Sequence, residues 1–280
     1  MQGEFRYLYG PVYSWRLGKS LGVDPLSCPQ KVCNLDCVYC QLGRAPRTTS
    51  RRQVFVPTTA VMREILMVPR SIEFEYITFS GRGEPTLAKN LGEMILAVRK
   101  IRTEPVAVLT NGTLLYRKDV RKDLVPADYV LAKLDVISQE GMRKIYNVNG
   151  EVRYDNIIRG LLSFREEFAG KFALQVMFIA RNKSWAEEIA RVARLIAPDE
   201  VQLSTPLRPS GVRPLRWEDL EEIKKSFAGL PVVSVYDQPT HELEPMNFKA
   251  AVRRHGNFRL QVNMRGRYGA AAVRERLKGT

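Results

Sequence analysis

The stretch EYITFSGRGEP, residues 75–85, joins a short apolar run to a glycine-rich turn that carries one carboxylate. The apolar run at 75–80 has the length and composition of a buried strand. The stretch AKNLGEMILAVRKIR that follows at 88–102 has apolar residues at helical spacing. These residues therefore predict one strand–turn–helix unit.

The same alternation continues along the chain to about residue 229. Further strands are predicted at residues 106–112, 127–136, 172–180 and 200–206, and further helices at 153–168, 184–197 and 217–229. The predicted strands are almost continuously apolar, as expected for a parallel sheet that is covered on both faces. Repeated units of this kind predict an α/β fold, either an open parallel sheet or a barrel.

Polar or glycine-rich residues close four of the predicted strands. These strand ends are residues 80–85, 110–112, 133–135 and 204–206. In parallel α/β folds the carboxyl ends of the strands meet at one edge, and ligands bind there. We therefore expect the functional side chains to gather at this edge.

The segment KVCNLDCVYCQLG, residues 31–43, places Cys33, Cys37 and Cys40 in a CxxxCxxC spacing. This spacing allows one loop to present three thiolates, which are the usual ligands of iron–sulfur clusters. A ferredoxin supplies four cysteines to each cluster, so three cysteines leave one iron open to a cofactor or substrate. We expect Cys28 to be a partly buried free thiol. As a fourth ligand it would close the cluster and make the protein an electron carrier.

The cysteine motif and the GRGEP stretch together resemble the signatures of the radical SAM superfamily. The resemblance covers about residues 20–236 and implies a partial (β/α)6 TIM-like barrel. It also implies two cofactors, a 4Fe–4S cluster held by the three cysteines and S-adenosylmethionine bound at the open iron. Such an enzyme takes an electron from ferredoxin or flavodoxin and cleaves S-adenosylmethionine to a 5′-deoxyadenosyl radical.

The resemblance also implies roles for single residues. Tyr39 matches an aromatic beside the adenine, and Glu84 with the backbone of Gly81, Arg82 and Gly83 matches the site of the methionyl amine, although Arg82 replaces the usual glycine. Weaker correspondences place Thr110 and Asn111 near the methionine, Lys133 and Asp135 near the ribose or carboxylate, and Ser204 and Thr205 near the adenine. For the weaker group, a capping or turn role is an equal alternative.

The chain has 44 Lys and Arg against 30 Asp and Glu, a formal net charge of +14. This excess favours an anionic partner, although a thermophile-like surface without a partner has the same composition. One basic group follows the cysteine motif (Arg44, Arg47, Arg51, Arg52), and a second lies near the end of the chain (Arg253, Arg254, Arg259, Arg265, Arg267) with Phe258 and Tyr268 among them. We expect Arg44, Arg253 and Arg254 to bind RNA, with a transfer RNA base as the substrate, since the chain is similar to radical SAM enzymes that modify transfer RNA.

Three alternatives stay open. The enzyme could act on an anionic small molecule in cofactor or lipid biosynthesis, or it could install a glycyl radical on a partner protein. An electron-transfer module is disfavoured by the GRGEP stretch. The sequence has no apolar run long enough to cross a membrane, so we expect no membrane partner and a cytoplasmic location. We expect residues 1–239 to form the core with an N-terminal extension, and residues 240–280 to form a basic C-terminal segment.

Overall fold

The computed structural model describes residues 5–148 and 151–237. The predicted C-terminal segment, with Arg253 and Arg254, lies outside the described residues. The strands are β1 (Leu8–Ser14), β2 (Gly18–Val23), β3 (Tyr76–Phe79), β4 (Val106–Thr110), β5 (Tyr129–Lys133), β6 (Lys171–Met177), β7 (Glu200–Ser204) and β8 (Val232–Ser234). The helices are α1 (Thr58–Met67), α2 (Leu91–Arg99), α3 (Lys118–Leu124), α4 (Gln139–Tyr146), α5 (Tyr154–Glu167), α6 (Ala186–Ile196) and α7 (Trp217–Ser226).

All eight strands belong to one sheet, and they lie in the order in which they occur along the chain. β1 pairs with β2 in antiparallel orientation, whereas β2 to β8 are parallel to one another. The sheet is curled into a partial barrel. The predicted α/β fold with a partial barrel is confirmed. The strands predicted from residue 75 onward correspond to β3 to β7, within a few residues at each end.

The β1–β2 hairpin was not among the predicted elements. Glycine and proline interrupt β1 at Gly10 and Pro11, so its sequence does not read as a strand. In β2, Gly22 lies under the ring of Tyr9, and a Cβ there would come within 2.0 Å of that ring. The glycine that weakens the strand pattern is therefore required by the packing of the hairpin.

The interior has two hydrophobic clusters. The larger lies between the sheet and the helices, and the smaller consists of Leu17, Ala107, Tyr129, Leu131 and Ala173. Alternate residues of β5 belong to different clusters, so the smaller cluster lies on the inner face of the curled sheet. Leu17 is in the turn between β1 and β2, and it packs on this face near the amino ends of the strands.

Among the described residues, no helix is both long and apolar enough to cross a bilayer.

Candidate active site

A cavity of about 380 Å³ is lined by the cysteine loop, the carboxyl ends of the strands and the β1–β2 hairpin. The predicted site residues that line it are Cys33, Cys37, Tyr39, Cys40, Gly81, Gly83, Glu84, Thr110, Asn111, Lys133, Ser204 and Thr205. These residues are up to 172 positions apart in sequence, from Cys33 to Thr205, yet they share one cavity. The parallel sheet brings them together because its strands all end at the same edge.

The cysteine loop is fixed to the GRGEP stretch by backbone hydrogen bonds. Val32 N donates to Arg82 O, and Glu84 N donates to Val32 O, each at 3.0 Å. A Cβ on Gly83 would lie 1.6 Å from Val32 O, and a Cβ on Gly81 would lie 2.2 Å from Cγ of Asp24. The resemblance implies that the backbone of these glycines approaches a ligand. The contacts with Val32 and Asp24 show that both glycines also allow close approach of the chain itself.

Three thiols face the cavity around a buried lysine. Burial raises the pKa of Cys33 to about 11 and that of Cys37 to about 12. Beside them, Lys31 Nζ donates to Gly43 O at 3.0 Å and pairs with Asp36 at 3.4 Å. A bound metal deprotonates its thiol ligands outright, so a cluster would reverse the effect of burial.

The three thiols suit a cluster better than a single ion. Within residues 5–148 and 151–237, no three Cys, His, Asp or Glu side chains are close enough to hold one metal ion together. A cubane cluster takes one thiolate at each of three different irons, so its ligands stand farther apart than those of one ion. Cys33, Cys37 and Cys40 on one cavity wall fit that requirement.

Glu84 is only 2% exposed and is held from several sides. Its Oε1 accepts from Thr86 N at 3.1 Å, Thr86 Oγ1 at 2.7 Å and Thr110 Oγ1 at 2.6 Å, while its Oε2 accepts from Asn111 N at 2.6 Å. Burial raises the pKa of Glu84, and these four donors oppose the rise. Since Oε2 has one donor among the described residues, a cationic N–H group in the cavity would be a favourable second donor.

Thr110 and Asn111 also connect residues around the cavity. Both line the cavity, and both form hydrogen bonds to Glu84. Asn111 Nδ2 donates to Asn34 Oδ1 at 2.8 Å and lies 3.7 Å from the Cys33 sulfur. The end of β4 therefore links Glu84 to the cysteine loop, which is the capping-type role that the sequence left as the alternative.

Tyr39 is fixed against the end of β5. Its hydroxyl donates to Oδ2 of the fully buried Asp135, and it accepts from Lys133 Nζ at 3.1 Å. Lys133 Nζ also lies 4.5 Å from the centre of the Tyr39 ring. Asp135 further accepts from Tyr146 Oη at 3.1 Å and Met177 N at 2.6 Å. Asp135 thus positions Tyr39, which lines the cavity, and is not itself among the residues that line it.

Four residues of interest lie away from the cavity lining. Arg82 donates its backbone N to Asp24 Oδ2 at 3.3 Å, and its side-chain Nε is buried without a hydrogen-bond partner among the described residues. Arg44 is exposed. Arg52 is not a surface residue, because its side chain is 6% exposed and pairs with Asp119 and Asp123. Cys28 is half-buried and donates to Leu26 O at 3.2 Å. Cys28 is also not among the cavity residues, which agrees with the expectation of a free thiol.

Several cavity residues were missed by the sequence analysis. They are Tyr9, Tyr13, Trp15, Arg16, Ser20, Lys31, Thr78, Gln175 and Arg208. Most belong to the β1–β2 hairpin or face the barrel interior from mid-strand. The alternation of aromatic residues before Arg16 was the available signal, since a two-residue period indicates a strand.

The comparisons with known proteins bear directly on this site. The Radical SAM superfamily model matches residues 27–196, which include the three cysteines and the GRGEP stretch. The chain belongs to the radical SAM superfamily. It is 38% identical to the UPF0026 protein of Synechocystis over 78% of this chain and 81% of that protein. It is 32% identical to the UPF0026 protein of Methanocaldococcus jannaschii over 79% of this chain and 70% of that protein.

The fold also matches solved structures. Streptococcus suis SuiB bound to S-adenosylmethionine aligns with a TM-score of 0.57 and 15% identity, covering 77% of this chain. The chain spans about half of that structure, with 52% of SuiB covered. At this identity the match shows the fold alone. Membership of the superfamily makes the protein a radical SAM enzyme whose cofactors are a 4Fe–4S cluster and S-adenosylmethionine.

Proposed function

We propose that this radical SAM enzyme generates a 5′-deoxyadenosyl radical in the described cavity and that the radical acts on an RNA base. A reduced cluster held by Cys33, Cys37 and Cys40 would supply the electron that cleaves S-adenosylmethionine. The observation that supports the proposed cleavage is that these three thiols and Glu84 line the same cavity.

The residues around the cavity position the cofactor and limit access of water. Glu84 is the group suited to the methionyl ammonium, because its buried carboxylate gains a charge-assisted hydrogen bond there. Tyr39 offers a rigid aromatic face, since Asp135 and Lys133 fix its hydroxyl. A radical reaction needs a site that keeps out water and stray reductants, because either would quench it.

The support for RNA comes from the loop after the cysteines. Leu42 lines the cavity, and Arg44, Arg47 and Arg51 beyond it are exposed. An RNA base that enters the cavity leaves its phosphates outside, where exposed arginines can bind them. Ferredoxin or flavodoxin remains the proposed electron donor.

A second candidate is an anionic small molecule. The observation that favours it is a positively charged side chain inside the cavity, Arg16, whose Nε is buried and has no hydrogen-bond partner among the described residues. A half-buried arginine of this kind suits a phosphate or carboxylate that enters the barrel.

The test is an anaerobic incubation of the reconstituted enzyme with cellular RNA, S-adenosylmethionine and dithionite, followed by mass spectrometry of the nucleosides. We expect a new nucleoside that Cys37→Ala does not form.

Arg44→Glu should weaken RNA binding and reduce its salt dependence, because each phosphate contact releases counterions. The control Arg63→Glu changes charge equally on the exposed side of α1 and should bind RNA more nearly as the wild type does. Unaltered nucleosides from an enzyme that forms 5′-deoxyadenosine would rule out RNA.

A further inference from the structure

The cavity contains a half-buried positive charge, Arg16, that the cluster and cofactor assignments leave unused. Arg16 is in the turn between β1 and β2, just before β2 begins its parallel pairing with β3. It therefore enters the cavity from the amino ends of the parallel strands, whereas the cysteines enter from the carboxyl ends. The cysteine motif and the GRGEP stretch lie at the carboxyl edge, so they do not explain the charge of Arg16 at the amino ends of the strands.

The side chain of Arg16 is held in place without a hydrogen bond to its Nε. Its guanidinium carbon lies 4.5 Å from the centre of the Trp15 ring, a cation–π contact that fixes its position. The Nε atom is buried and has no hydrogen-bond partner among the described residues. A buried polar group without a partner is costly, and a charged one more so, unless a ligand completes it.

A second arginine lines the same cavity. Arg208 follows β7, lines the same cavity and donates through Nη1 to Gln41 Oε1 at 3.2 Å. Burial, and then the charge of Arg208, lower the pKa of Arg16 to about 10. Both groups stay protonated at neutral pH, so two positive charges face one cavity. An anion that enters this cavity is attracted by both guanidinium groups.

We infer that Arg16 and Arg208 form a subsite for an anionic group of the substrate, a phosphate or a carboxylate, inside the barrel. The guanidinium fork binds either group through two parallel hydrogen bonds. The subsite rests on the proposed function, in that the cavity is taken as the place of reaction. It deepens the second candidate, because a buried anion site suits a small molecule whose charged group enters the barrel with it.

The test uses the cluster-reconstituted enzyme under anaerobic conditions, titrated in a calorimeter with inorganic pyrophosphate and, separately, with succinate. We expect at least one of them to bind, and the identity of the tighter probe distinguishes phosphate from carboxylate. Arg16→Gln should weaken that binding by on the order of tenfold or more, and Arg16→Lys by less. The matched control is Arg191→Gln, which removes an equal charge from the exposed face of α6 and should bind the probe as the wild type does.

A thermal melt of the same variants, without any anion, separates a ligand-binding role from a structural one. Arg16→Gln should melt at the same temperature as the wild type or higher, because it removes a charged group whose Nε is buried without a hydrogen-bond partner among the described residues. Equal binding by Arg16→Gln and wild type, or no binding of either probe to wild type, would overturn the inference. So would a lowered melting temperature of Arg16→Gln, since Arg16 would then be supporting the hairpin. Anion binding by a wild-type enzyme that never cleaves S-adenosylmethionine would instead refute the proposed function and leave the subsite standing.

Discussion

The two ends of the cavity differ in how their polar groups are satisfied. At the cysteine end, Glu84 accepts four hydrogen bonds and Asp135 holds two tyrosine hydroxyls, so both buried carboxylates are enclosed by the protein's own donors. At the hairpin end, Arg16 has a buried Nε with no such partner in the described chain.

The difference separates preorganised chemistry from recognition. A fully bonded network keeps its geometry before a ligand arrives, which a reaction involving a radical requires. An incompletely bonded charge costs stability until a ligand completes it, which is typical of a specificity site. Substitutions at the cysteine end should therefore reduce activity most. Substitutions at the hairpin end should mainly weaken ligand binding.

The largest effect is expected from the three cysteines. Cys33→Ala, Cys37→Ala and Cys40→Ala should each abolish the brown absorbance of the cluster and all formation of 5′-deoxyadenosine, because each thiolate holds a different iron. Iron and sulfide content after anaerobic reconstitution measure the first effect, and chromatography of the products measures the second.

Cys28→Ala is the matched control for these variants. Cys28 lies away from the cavity and donates to Leu26 O, so its removal should leave cluster content and cleavage near those of the wild type. A cluster lost on Cys28→Ala would mean four thiolate ligands and no open iron, and the cysteine end would then resemble an electron carrier.

A smaller effect is expected from Glu84→Gln. The change keeps the size of the side chain but removes the charge proposed to hold the methionyl ammonium. Affinity for S-adenosylmethionine in anaerobic calorimetry should fall by about tenfold to a hundredfold, while cluster content stays close to normal.

Glu64→Gln is the matched control for Glu84→Gln. Glu64 also accepts backbone hydrogen bonds, from Arg6, Tyr7 and Leu8, but it is not among the cavity residues. The Glu64→Gln variant should have a lower free energy of unfolding but an unchanged affinity for S-adenosylmethionine. If both variants bound S-adenosylmethionine equally well, Glu84 would only hold the loop in place and would not bind the cofactor.

The smallest effect on activity is expected from Arg52, which anchors the cysteine end from outside the cavity. Arg52 donates to Thr86 O at 2.8 Å and Ala88 O at 3.2 Å besides its two ion pairs. Arg52→Gln should lower the free energy of unfolding by about 2 kcal/mol, because it leaves two carbonyls without their donor and two carboxylates without their cation.

Arg51→Gln changes the neighbouring, exposed arginine and should leave stability within about 0.5 kcal/mol of the wild type. Denaturant unfolding of the two variants measures both values. If Arg51→Gln proved the more destabilising, the division between a structural Arg52 and a surface Arg51 would be wrong.

The sequence predicted the cysteine end well because its signals are local. A continuous apolar run predicts each of β3 to β7, and the polar residues after those strands share an edge by topology alone. Glu84 and the three cysteines were found in this way. What each residue contacts was harder to predict. The close contact of Gly83 with Val32 O, and the pairing of Arg52 with α3, depend on segments that are distant in sequence.

The hairpin end was missed because its signal is obscured. Gly10 and Pro11 interrupt the alternation in β1, and the requirement for Gly22 arises from the ring of Tyr9 on the other strand. An arginine in a turn is ordinarily exposed, so Arg16 gave no reason to place it in a cavity. Its burial follows from the packing of Leu17 onto the inner face of the barrel.

The most direct test of the central claim is a product measurement on the anaerobically reconstituted, reduced enzyme with S-adenosylmethionine and no substrate. The account predicts slow formation of 5′-deoxyadenosine and methionine in equal amounts, dependent on the reductant and absent in Cys37→Ala. An enzyme that carries a full complement of iron and sulfide, accepts an electron and still leaves S-adenosylmethionine intact would contradict it.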